Sequence, residues 1–133
     1  MRLVIEQARR QATERRAEAE AAGRAYDLFL DQVAVPVFRQ LAGALRTEGY
    51  YYAVATPHGR VRLVSERVPE DVIELVLDLT HHPPLVLGRT TRVLGRQIRT
   101  AERPIREGAD LSTLTGDDVF EFLLTEIRDF VER

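Results

Sequence analysis

The chain predicts an α+β fold with a long kinked N-terminal helix, an antiparallel β-meander of four or five strands, and a C-terminal helix packed on the sheet. Three observations predict it. A three-four apolar seam runs through the first 33 residues, a hairpin signal centres on Pro57-His58-Gly59, and a capped apolar stretch follows Thr115.

The seam comprises Ile5, Ala8, Ala12, Arg15, Ala19, Ala22, Tyr26, Phe29 and Val33, the spacing of a helix that packs along another helix. Apart from Gly23, residues 5–33 contain no helix breaker, so a continuous helix would run roughly 43 Å at about 1.5 Å per residue. A compact chain of this length has a diameter of roughly 36 Å. The helix therefore overhangs its own body, and self-association supplies the missing partner. Residues 1–25 form the overhanging Ala-rich segment of a single domain, 1–133, and residues 26–133 its globular α+β core. Arg15 is a defect in the seam; it has to snorkel outward or pair with Glu14 or Glu18 of a facing helix, which an antiparallel arrangement favours.

A second helical stretch carries Val37, Phe38, Leu41, Ala44 and Leu45 and ends at Gly49. Pro36 lies between the two, which places a kink near residues 32–36. Tyr26, Leu28, Phe29, Leu30, Val33, Phe38 and Leu41 give this later part enough bulk to cap a core, while the earlier part offers only alanine.

Residues 50–56 and 60–66 are rich in aromatic and β-branched residues and flank the Pro-His-Gly loop, as in a β-hairpin. Residues 72–79 alternate cleanly and supply a third strand. For residues 85–106 a helical wheel collects Leu87, Thr91, Leu94, Ile98, Ala101 and Ile105 on one side and six arginines on the other. Gly88, Gly95, the Thr90-Thr91-Arg92-Val93 run and Pro104 oppose a helix and favour strands over about 85–99 and 102–106. Thr115 with Asp117 and Asp118 starts the last helix, whose apolar face reads Val119, Phe120, Leu123, Leu124, Ile127, Phe130 and Val131. Residues 114–133, LTGDDVFEFLLTEIRDFVER, with the preceding strand pattern, resemble the end of a group of small bacterial α+β proteins of unassigned function. That resemblance implies a recurring α+β unit over the carboxyl half and transfers no catalytic residue.

Composition narrows the function. All nineteen basic residues are arginine and cysteine is absent, which removes Schiff-base and P-loop lysine chemistry, disulfides and thiolate sites. No apolar run approaches the span of a bilayer and the amino terminus has no signal-peptide core, so a cytoplasmic protein without a membrane partner is expected. The formal charge of −2 and pI near 5.9 argue against a dedicated nucleic-acid binder.

The one concentrated charge is the arginine set of residues 84–106, where six arginines face a single acid, Glu102; Arg89, Arg92, Arg96 and Arg99 are the candidate anion-binding residues. Residues 107–133 carry eight acids against Arg128 and Arg133, so pairing of the two segments is the simpler expectation. Tyr50-Tyr51-Tyr52 beside a basic surface could stack on bases, but reads more simply as a strand with alternate rings in the core. His58, His81 and His82 lack metal-ligand spacing, and no nucleophile elbow, HExxH or glycine-rich phosphate loop occurs. The expectation is thus a non-enzymatic module without cofactor or metal, a homodimer joined by the seam residues Ile5, Ala8, Ala12, Ala19, Ala22, Tyr26, Phe29 and Val33. An anion-binding module using Arg89 to Arg106, and a chaperone or adaptor for a protein partner, are the alternatives.

Overall fold

In the computed structural model, which describes residues 1–132, the helix at the amino end is almost uninterrupted. Helix α1 (Arg2–Phe29) passes through a single wide π-turn, Leu30–Ala34, into α2 (Val35–Thr47). The break expected at residues 32–36 takes this form because Pro36 has no N–H to give to the preceding turn. Val35 donates to the Leu30 carbonyl instead, one residue further back than in an α-helix. Packing requires the same turn. Tyr26, Leu30, Ala34 and Phe38 are all buried and follow one another in steps of four, which on a regular helix would rotate the contact face by about 40° per step. The wide turn absorbs that rotation and keeps all four on the sheet. Read as one element, the Arg2–Thr47 helix contains a stretch long and apolar enough to cross a membrane by composition. Its bulky residues Phe29, Leu30, Phe38 and Leu41 are core residues here.

The sheet is a five-stranded antiparallel meander in sequence order: β1 (Tyr52–Ala55), β2 (Val61–Ser65), β3 (Val72–Asp78), β4 (Leu85–Leu94) and β5 (Gln97–Pro104). The helical alternative for residues 85–106 is excluded. The turn, however, lies at Gly95-Arg96 and not near residues 100–101, because Leu94 pairs with Gln97. Gly95 has φ 64 and no other residue type in the described chain has positive φ, so the two-residue loop is of the Gly-X kind that suits a twisted hairpin. Residues 92–99 extend past the end of β3, whose last pairing on that side is Val72 with Thr91. There the Asp71 side chain accepts the Val93 N–H at 2.9 Å and continues the ladder by one rung.

One face of the sheet is covered. Leu63, Ile73, Leu75 and Val86 meet Phe38 and Leu41 of α2 and the apolar stripe of α3 (Gly116–Val131). Helix α3 starts with the expected cap: the Thr115 hydroxyl accepts the Asp118 N–H, and Asp118 accepts the Thr115 N–H at 2.9 Å. Its buried stripe is Val119, Phe122, Leu123, Ile127 and Phe130, whereas Phe120 is half-buried and Leu124 is exposed. Gly88 explains Phe122. An added Cβ at Gly88 would overlap the Phe122 ring, so the glycine of β4 is the socket for that side chain. Gly88→Ala is expected to lower stability by about 2 kcal/mol through overpacking, read as a reduced urea midpoint at unchanged slope.

Candidate functional site

Strand register sets a row of alternating charge across the face turned away from α2 and α3. Arg62 pairs with Glu74, Glu74 with Arg89, and Arg89 with Glu102, so the four side chains stand in line across β2, β3, β4 and β5. Glu74, at the centre, is only 4% exposed. Its Oε2 accepts from Arg62 Nε at 2.8 Å, and its Oε1 lies 3.3 Å from Arg89 Nη1 and 3.5 Å from Arg60 Nη1. Arg89 Nε also donates to Glu102 at 3.0 Å. The single carboxylate is thus shared by three guanidinium groups, and Glu102 supplies a second negative charge at the end of the row. Glu74→Ala would leave those cations without their shared partner; a loss of about 3 kcal/mol, measured by urea denaturation, is expected.

A cleft of about 500 Å³ opens where α1 passes the ends of β3 and β4, lined among others by Gly23, Tyr26, Asp27, Asp78, Arg60 and Glu102. Tyr26 is 2% exposed, and its hydroxyl has no hydrogen-bond partner among the described residues. Burial pushes the Tyr26 phenol well above its ordinary value near 10, with Arg60 opposing and Asp27 and Glu74 reinforcing the rise. Thr80 donates both its hydroxyl and its N–H to Asp78, which holds that carboxyl below its usual range. The cleft therefore presents acids with Arg60 and Arg89 already turned toward Glu74.

The amino-terminal arm is the other candidate. Residues 1–18 are exposed throughout, a projection of roughly 24 Å over residues 2–17. Leu3 is 78% and Val4 66% exposed. Glu18 approaches His82 at 4.0 Å, and burial begins at Ala19 and Ala22. Of the expected oligomer seam, Ile5, Ala8 and Ala12 stand free, Ala19 and Ala22 are half-buried, and Tyr26, Phe29 and Val33 belong to the chain's own core. Those last three cannot serve a second chain, because they are already packed within their own.

The four candidate anion-binding arginines do not form one site. Alternation along β4 puts Arg89 on the open face, within the Glu74 row, and Arg92 on the covered face. Arg92 lies over the Phe130 ring at 5.4 Å and donates to the Asp129 carbonyl at 3.1 Å. Arg99 stands opposite Arg92 in β5 and Arg96 occupies the turn; both are exposed. The expected pairing with the last helix is met by neighbours instead: Arg103 reaches Glu126 at 2.8 Å and Arg106 reaches Asp118 at 3.2 Å. Of the three tyrosines only Tyr52 enters the core, while Tyr51 lies under Arg46 at 5.1 Å. No group of three or more potential metal ligands occurs among the described residues.

No family model, curated protein or solved structure matches the chain. The site must be read from its own chemistry.

Tyr26 sets a pH dependence. Above about pH 10 the unfolded chain loses this phenolic proton while the folded chain keeps it, so the folded state binds more protons and stability falls as pH rises. Tyr26→Phe is expected to show a shallower loss between about pH 9 and about pH 11, followed by urea midpoints.

Proposed function

We propose that the protein is a non-enzymatic, cytoplasmic interaction module that works as a homodimer, with α1 as its dimerisation arm. The observation that carries this reading is the exposure of residues 1–18, a helical arm whose one ion-pair approach to the body among the described residues is Glu18 toward His82. An isolated helix of this length is marginal in water even when alanine-rich, so a bare arm gains its stability from a partner. Ala8 and Ala12 allow two helix backbones to approach closely, and Ile5 adds one larger apolar side chain to the contact.

A parallel pair is disfavoured by the chain's own body. In a parallel pair both globular parts lie side by side at the same end of the arms, where from Tyr26 onward the seam face of each α1 is already filled by its own core. An antiparallel partner places the two bodies at opposite ends. It also brings Arg15 toward Glu14 or Glu18 of the other chain.

The full chain is expected to sediment as a dimer at micromolar concentration. Ala8→Glu with Ala12→Glu should weaken the dimer by at least about 100-fold by wedging two long, charged side chains between closely packed helix backbones. Because both positions are exposed in the single chain, the thermal midpoint of the body should be unchanged. A full-length chain that sediments as a monomer would end this reading.

A further inference from the structure

The flank of α1 beside the alanine seam carries charge in a self-complementary order. Arg2, Arg9 and Arg16 recur every seven residues, and Glu20 and Asp27 follow at the same interval, with Asp31 one turn later. On a helix of 3.6 residues per turn these six positions lie along one stripe, and Ile5, Thr13 and Gly23 interleave with them. The basic half of this stripe precedes the acidic half. Within one rigid helix only Arg16 and Glu20, one turn apart, are neighbours; Arg2 and Arg9 cannot reach Asp27 or Asp31, and Arg9, Arg16, Glu20, Asp27 and Asp31 have no ion-pair partner among the described residues. Two copies running antiparallel, with the two-fold axis at residue 18, bring Arg16 level with Glu20 and Arg9 level with Asp27. Arg2 then lies within a long side chain's reach of Asp31. Every such contact occurs twice by symmetry.

Gly23 fits the same arrangement. Glycine inside a helix costs about 1 kcal/mol relative to alanine, yet a Cβ at residue 23 would touch nothing in its own chain. In the antiparallel pair it stands level with Thr13 of the second copy, where a missing side chain lets the two backbones close up. Gly23 and Asp27 are also the helix side of the cleft that Asp78 and Glu102 line together with Arg60, Arg89 and His58, and its buried Tyr26 hydroxyl has no partner among the described residues.

We propose that a second copy of this chain is the occupant of that flank, its arginine-bearing arm lying along Glu20, Gly23, Asp27 and Asp31 with Arg9 seated at the mouth of the cleft beside Asp27 and Tyr26. The proposal rests on the dimer reading above and adds its orientation, its register and the residues that one copy lends to the cleft of the other.

Charge exchange in the full chain tests it by sedimentation equilibrium. Arg9→Glu with Arg16→Glu should weaken the dimer by about 30-fold, since four symmetric contacts become repulsive. Adding Glu20→Arg and Asp27→Arg to the same chain should restore it to within about 3-fold of the parent. Circular dichroism checks that each variant keeps its fold. A parent dimer that ignores the first pair of reversals, or is not rescued by the second, overturns the ladder while leaving the dimer standing. A parent chain that is monomeric overturns both. Orientation has its own readout, because the chain contains no cysteine. Ala12→Cys and Gly23→Cys chains, mixed and oxidised, should yield a disulfide-linked heterodimer, and Ala12→Cys alone should not link. Linking of Ala12→Cys alone marks a parallel pair and overturns the proposal.

Discussion

Four buried residues in steps of four, Tyr26, Leu30, Ala34 and Phe38, fix the long helix on the sheet, and the rest of the architecture depends on that attachment. A regular helix would carry such a row off the sheet within three turns, so the π-turn at Leu30–Ala34 is what lets one continuous element remain in contact. With α2 held in this way, α1 has no freedom of direction. It must leave the body along the axis that Tyr26 and Phe29 set, and its first eighteen residues must stand in solvent. Projection of the arm is therefore a consequence of core packing. The same attachment places Gly23 and Asp27 over the ends of β3 and β4, which creates the cleft.

The open face of the sheet solves a different problem. Helices α2 and α3 cover one face, and β3 runs through the middle of the other, where Val72 and Val76 are buried and α1 comes near at the cleft that Gly23, Tyr26 and Asp27 share with Val76. Glu74 lies between these two valines. A lone carboxylate there would be costly, but register supplies Arg62 on one side and Arg89 on the other. The row ends in Glu102, so charge alternates across four strands. This is why Arg89 is unavailable to an external anion, and why the arginine density of β4 and β5 is misleading. On the covered face Arg92 and Arg103 lie over Phe130 and Phe122, acting as flat lids to the core as much as charges.

Much of this was legible in the chain itself. The Thr115 cap, the Pro57-His58-Gly59 hairpin and the alternation of residues 72–79 are local signals, set by capping chemistry, turn residues and side-chain period, and each element formed where it was expected. What escaped depends on contacts distant in sequence. Residues 85–106 carry helical and extended patterns together, and the turn at Gly95 is set by pairing of β4 with β5 and not by the broader run of β-branched residues. Phe122 is absent from the apolar face read from the sequence, where Phe120 and Leu124 stand instead, because nothing near it in sequence announces the socket at Gly88. The steps of four were visible, and their consequence, a wide turn, could have been drawn from them. For the cleft, only Gly23 in an otherwise unbroken helix was a signal.

Charge order along α1 separates self-association from polyanion binding. Residues 2–17 carry five arginines against Glu6 and Glu14, and taken alone they would attract any anionic polymer. Residues 18–31 carry four acids against Arg24 on the same rigid rod. A polyanion following the helix past residue 17 would meet Glu18 and Glu20 within one turn, about 5 Å and so inside a Debye length of about 8 Å at physiological salt. A second copy of the helix turned end for end meets no such reversal, because its own charge changes sign at the same place. The segregation that makes α1 a poor track for a nucleic acid is the property that makes it complementary to itself.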